Sequence, residues 1–137
     1  MKRSEIEYTE SMIRLISFIR SKVLYYKTEL SEIYREFSDP FLDSTGFTKT
    51  LLEEGFQKAF SDSGARYGLS QNTRKIIADF AENLGKISVE EQIISCDLAI
   101  ESLNDHCIRQ KERFPGQKKL YISLGALTGA LIVILLI

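Results

Sequence analysis

The chain has 137 residues, 44 % of them hydrophobic, and 18 Lys and Arg against 19 Asp and Glu give a net charge of −1. That length suits one domain of ordinary size. The charge balance excludes the basic excess of a nucleic-acid binder. Cys96 and Cys107 are too far apart for a C-x-x-C pair and have no partners for a zinc set, so both are expected as reduced thiols facing a core.

No apolar stretch follows Lys2 and Arg3, so no signal peptide is expected. Residues 4 to about 30 are predicted as one long helix. Met12, Ile16, Ile19, Val23, Tyr26 and Leu30 recur at intervals of four and three, which puts them on one helix face. Ile13, Leu15 and Leu24 widen that face. Thr28 is a candidate N-cap, with Glu32 further along, so a break near 27–29 is allowed. A short second helix over 29–37 would then bury Leu30, Ile33, Tyr34 and Phe37.

Ser38-Asp39-Pro40 is read as ending that helix, and Asp43 to Gly46 as a second turn. Phe41 and Leu42 are expected to pack down between them. The third helix is predicted over 46–60, with Phe47, Leu51, Leu52, Phe56, Ala59 and Phe60 buried. Ser61 to Gly64 reads as a loop, with Tyr67 and Leu69 anchoring it. Ser70 is a good N-cap for a fourth helix reaching Leu84, with Ile76, Ile77 and Phe80 on its inner face. Gly85 fits the left-handed position after its end.

Ser88 and Glu91 have the spacing of a capping box, and they open the fifth helix. Val89, Ile93, Cys96, Ile100, Leu103 and Cys107 form a heptad-like row over about five turns. The helix runs on towards Phe114, and Pro115-Gly116 marks a hinge.

From Leu120 to Ile137 no residue is charged. At about 1.5 Å per residue the run gives roughly 27 Å of helix, close to the hydrocarbon thickness of a bilayer, so a single span over 119–137 is expected. Lys111, Arg113, Lys118 and Lys119 precede it, which places the N-terminal domain in the cytoplasm. Lys118 and Lys119 are the juxtamembrane anchors, and Tyr121 stands where an interfacial aromatic would sit. Gly125 and Gly129 make a G-x-x-x-G spacing that suits helix packing in the bilayer. The expected organisation is all-α: a cytoplasmic helical bundle over 1–114, a hinge over 115–118 and the transmembrane helix.

No active site is expected, and the chain is read as a non-enzyme without cofactor or metal. His106 is the one histidine. Beside it Cys107 points about 100° away on a helix, so the two do not make a dyad. Asp105 and His106 are expected to face solvent or a partner. One histidine cannot furnish a di-iron bundle, and no G-x-x-x-x-G-K-S/T run forms a phosphate loop.

Leu84-Gly85-Lys86-Ile87-Ser88-Val89-Glu90-Glu91-Gln92, the long helix after it with Leu98, Glu101 and Leu103, and the run from Lys119 to Ile137 resemble the stage III sporulation protein AB family. Tyr25-Tyr26-Lys27-Thr28-Glu29-Leu30 resembles that family's Tyr followed by Thr-Pro-Leu, with Glu29 in place of proline. Phe80 with Leu84-Gly85 resembles its Phe-Gly-x-x-Leu-Gly stretch, with Ala81 where the first glycine is common. The family's usual Asp after Leu-Gly is missing from Lys86-Ile87-Ser88. Members typically begin with another membrane helix, whereas Met1-Lys2-Arg3 leads straight into the bundle. Either that helix was lost or the sequence begins late.

The resemblance implies a soluble domain similar to the cytoplasmic domain of type II secretion F proteins. It implies a structural or adaptor role in the mother-cell complex that joins mother cell and forespore, in the mother-cell membrane around the forespore. The partners it implies are the stage III sporulation AA ATPase and other channel components, besides the lipid bilayer. No nucleic acid or small-molecule substrate is expected. A membrane-anchored helical regulator or structural protein with an unrelated partner is the alternative. Lys86, Glu90, Gln92 and Asp97 are the candidate partner-binding patch, because they lie in the most family-like stretch of the soluble part. Glu29 and Glu32 begin the other acidic-rich helix start, and capping of the helix dipole explains such carboxylates equally well.

Overall fold

A computed structural model describes residues 3–26 and 29–111. Seven helices are seen among them: α1 (Arg3–Tyr26), α2 (Leu30–Glu36), α3 (Pro40–Thr45), α4 (Phe47–Glu54), α5 (Phe56–Arg66), α6 (Gln71–Asn83) and α7 (Val89–Lys111). No strand occurs in the described residues, so the bundle is all-α.

The frame is the pair α1 and α7. They run antiparallel: Ile6 packs with Cys107 at one end, and Arg20 pairs with Asp97 further along. The predicted row of α1 makes this contact, since Met12, Ile16 and Ile19 are fully buried and Val23 nearly so. Cys96, Leu103 and Cys107 answer from α7 with no exposed surface. At about 25 cal/mol per Å² of apolar surface, such seams are what hold long helices together in water.

The shorter helices close the core. Tyr8 of α1 meets Phe47 edge-on at 6.3 Å, Phe47 meets Phe56 at 5.9 Å, and Phe56 meets Phe80 of α6 at 5.6 Å. This aromatic column ties α1, α4, α5 and α6 to one another, each pair adding about 0.5–1.5 kcal/mol beyond its buried area. Tyr67 and Leu69, expected to anchor a loop, instead pack down just after α5, Tyr67 against Tyr8 and Phe41.

Three elements depart from the sequence reading. The segment after Pro40 is a helix rather than a pair of turns. Asp39 caps it by accepting from the Leu42 N–H at 3.1 Å, and Pro40 takes the first helical position, where its missing N–H costs nothing. The helix predicted over 46–60 is broken at Gly55, whose φ of 94° is a conformation that residues with a side chain rarely adopt. Ser61 to Gly64 belong to α5, not to a loop. Ser63 is buried there because its hydroxyl is fully occupied: it donates to the Ala59 carbonyl at 2.9 Å and lies 2.5 Å from the Tyr8 hydroxyl. Leu52 and Val89, expected inside, are 50 % and 42 % exposed. Ile93 is half-buried against the core.

Among the described residues no helix is long and apolar enough to cross a membrane. The span expected over 119–137, with Gly125, Gly129, Lys118 and Lys119, lies outside the described residues, as do the hinge and Thr28.

Candidate partner-binding surface

The turn between α6 and α7 is built from backbone requirements first. Leu84 ends α6, and Gly85 follows in the left-handed region at φ 82°. A Cβ added there would lie 2.9 Å from Leu30 Cδ1, so the turn packs on α2, but that side chain end can shift and it is the left-handed φ that asks for glycine. The Gly85 N–H donates to Gln92 Oε1 at 3.0 Å, and the Lys86 N–H donates to the Asn83 carbonyl at 3.0 Å. Ser88 then caps α7, accepting from the Glu91 N–H at 3.2 Å. The predicted box closes differently on its other side: the Ser88 hydroxyl donates to Glu91 Oε1 at 2.9 Å.

This arrangement divides the four candidate residues. Lys86 and Glu90 are exposed on a turn whose backbone is locked from below. Asp97 is half-exposed and held by Arg20, with Nε 2.5 Å from Oδ1 and a second nitrogen 3.4 Å from Oδ2. Gln92 is not on the surface. It is 5 % exposed and serves as the internal clasp of the turn. The patch that solvent meets is therefore Lys86 and Glu90, with Asp97 about two turns further along α7.

The expectation that His106 faces solvent is likewise corrected, since it is 7 % exposed. Its Nε2 lies 3.3 Å from Ser70 Oγ and its Nδ1 3.5 Å from Asn72 Nδ2. Glu5 Oε2 accepts from the Ser70 N–H at 2.5 Å. These groups join the N-terminus of α6 to the start of α1 and the end of α7. The Ser70 hydroxyl is engaged with Thr73 as the helix cap. Burial lowers the His106 pKa, and nearby Arg109 pushes the same way against Glu5 and Asp105. Asp105 itself is exposed and pairs with Arg109 at 2.7 Å.

The residues missed by the sequence reading had a legible signal. Gln92, Cys96, Ala99, Leu103 and His106 recur at 4, 3, 4 and 3, and all five are buried. The inner row of α7 thus continues through a glutamine and a histidine, each at a point where a turn or a helix end needs a polar clasp. Cys96 on that row has its thiol pushed up to about 12 by burial, which keeps it protonated and poorly nucleophilic. Both cysteines are buried, as expected, and neither is in a disulfide. Among the described residues no three His, Cys, Asp or Glu side chains gather as a metal would need.

An all-helical bundle, organised on one antiparallel pair and presenting its polar groups on a rigid turn, is the class of protein this geometry defines. The family model for Stage III sporulation protein AB (spore_III_AB) matches residues 3–137. The chain belongs to that family, and its role is in sporulation. No curated protein and no solved structure matches it.

Proposed function

We propose that this protein is a non-enzymatic, membrane-anchored adaptor of the mother-cell–forespore channel complex, and that its helical domain docks the secretion-type AA ATPase on the cytoplasmic face. The observation that carries this reading is the family match, which extends over residues 3–137 and so includes the uncharged run at 120–137. That run supports the anchor, and the basic residues before it support a cytoplasmic domain.

The geometry supports the docking surface. A partner that binds Lys86 and Glu90 meets side chains on a backbone already fixed by Gly85, Gln92 and Ser88, so little ordering is lost on binding. The non-enzymatic reading is supported by where the reactive types sit: the one histidine clasps helix ends and Cys96 is a buried neutral thiol.

Affinity capture from sporulating cells tests the proposal, with the tagged full chain extracted in mild detergent as bait. Recovery of the AA ATPase, lost when Lys86 and Glu90 are charge-reversed, is the expected result. Absence of the ATPase in an assay that recovers other channel components would overturn the docking. Protease added outside intact cells should spare the helical domain, and its digestion would overturn the topology.

A further inference from the structure

Along the outer side of the α6–α7 contact lies a groove with a volume of about 520 Å³, open to solvent. Ile76 and Phe80 of α6 form one wall, and Ile87, Ile94 and Leu98 form the other with the turn. Ile94 and Leu98 are 57 % and 60 % exposed, one helical turn apart on α7. A single exposed leucine calls for no explanation, but two in register beside three further apolar side chains make a continuous surface. The charged residues lining the groove are Asp79 and Glu91, one from each helix and both acidic.

We infer that this groove is a docking site for an amphipathic helix from another protein, one with apolar side chains at helical spacing and Lys or Arg on its flanks. The apolar walls take the i, i+3/i+4 row of such a helix. The two carboxylates select basic flanks and repel acidic ones. A second copy of this chain fits less well, because a two-fold contact through the groove would set Asp79 and Glu91 against the same carboxylates. The chain's own terminal run fits less well too. Residues 120–137 carry no charge to meet the carboxylates. The basic stretch 111–119 has Phe114 but no apolar row. The inference stands on the groove itself and does not rest on the ATPase reading, so either can fail alone.

The test uses the full chain in phosphatidylcholine nanodiscs and two labelled 18-residue helical peptides. Both carry leucines at alternating spacings of four and three; one has lysine flanks, the other glutamate flanks. Fluorescence anisotropy is expected to show the lysine peptide binding at least tenfold more tightly. The pair Ile94→Ser and Leu98→Ser should weaken it at least tenfold with the melting curve unchanged. Asp79→Lys with Glu91→Lys should reverse the preference between peptides. Amide shifts should concentrate on α6 and residues 87–102. Equal binding of both peptides, or shifts centred elsewhere, overturns the inference. So does dimerisation that Ile94→Ser abolishes, which would give the groove to a second copy. Shifts in residues 120–137 caused by Ile94→Ser without peptide would give it to the chain's own terminal run, and would overturn it equally.

Discussion

α7 carries apolar residues on two faces with opposite fates. Cys96, Ala99, Ile100, Leu103 and Cys107 are 7 % exposed or less, while Val89, Ile94 and Leu98 are 42 %, 57 % and 60 % exposed. The first set lies against the core of the bundle, largely along α1. Ile94 and Leu98 of the second set share a groove with Ile76 and Phe80 of α6, but stand on a side of α7 that no described helix covers. Residue type does not separate the faces, since leucine and isoleucine occur on both. What separates them is whether a neighbouring helix is there, and that difference divides the helix into a part that holds the fold and a part open to contact.

The strongest way to break the comparison is to put one charge on each face. Ile100→Asp would bury a carboxylate without a partner and is expected to cost about 3–5 kcal/mol. Leu98→Asp, two residues away, should cost less than about 0.5 kcal/mol because its side chain already meets water. Urea unfolding of both variants measures the contrast. Similar losses from both would show that the two faces do not differ as described.

Phe80 sharpens the boundary, because it stands at the edge of both regions. It is 2 % exposed, stacks edge-on with Phe56, and lines the groove. Phe80→Ala should cost about 3–4 kcal/mol, as other aromatic truncations in cores do. It should also weaken peptide binding in the groove. Thermal melting and anisotropy on the same variant read the two effects together.

How far the sequence foretold this division differs by region. The long rows of α1 and α7 were legible because each repeats over many turns, and local signals marked Ser70, Gly85 and Ser88. Gly55 and Gly64 show where local reading stops. Gly55 breaks a helix at φ 94°, while Gly64 sits within one, where an added Cβ would meet the Phe60 ring at 3.2 Å. Residue type alone does not distinguish them. The same holds for Ser63, which is helical and buried because Tyr8 reaches it from 55 residues away. Gln92 is expected on the surface as part of the patch in the most family-like stretch, although its spacing from Cys96 puts it on the buried row. The candidate patch was therefore half legible: its position was, its depth was not.

A polar seam tests whether the buried side of the comparison depends only on apolar contact. Asp39 caps α3 and pairs with Arg14 at 2.7 Å. Burial raises its pKa, but the Arg14 and Leu42 hydrogen bonds outweigh that and hold it below the ordinary carboxylate value. Asp39→Ala should cost about 1–2 kcal/mol at neutral pH, mostly the lost cap. A depressed folded-state pKa contributes stability that is present above the unfolded value of about 3.9 and lost as pH falls through the folded value. The gap between wild type and Asp39→Ala should thus be constant from pH 5 upwards and narrow below about pH 4. A gap that widens on acidification would contradict the assignment.

His106, where the end of α7 meets the start of α6, makes a smaller and separately timed contribution. Its folded-state pKa lies below the unfolded value near 6.5, chiefly through burial. Protons then bind the unfolded chain more readily, so its share of stability is full above about pH 6.5 and declines as pH falls through the folded pKa. His106→Gln should remove that slope while leaving the Asp39 slope lower on the pH scale. Melting temperatures from pH 8 to pH 3 separate the two.

The smallest effect on stability is expected at the turn, where the outer face of α7 begins. Lys86 and Glu90 are exposed, while the bonds that fix the turn come from Gly85, Gln92 and Ser88. Lys86→Glu with Glu90→Lys keeps the net charge and should shift stability by no more than about 0.5 kcal/mol, because exposed charges contribute little to folding. One cost is predictable: Glu90 lies in the first turn of α7, where a carboxylate favours the helix dipole by about 0.3–1 kcal/mol and a lysine does not. Lys86, just before the helix, would regain part of this as a glutamate. Binding responds to the same change without such cancellation, since a partner matched to one charge order meets the reverse. The dissociation constant for the AA ATPase, measured with the melting temperature of the same variant, gives both answers. Weakened affinity with an unchanged melt marks Lys86 and Glu90 as contact residues. A lowered melt with unchanged affinity would leave them only the capping role and remove the turn from the docking surface.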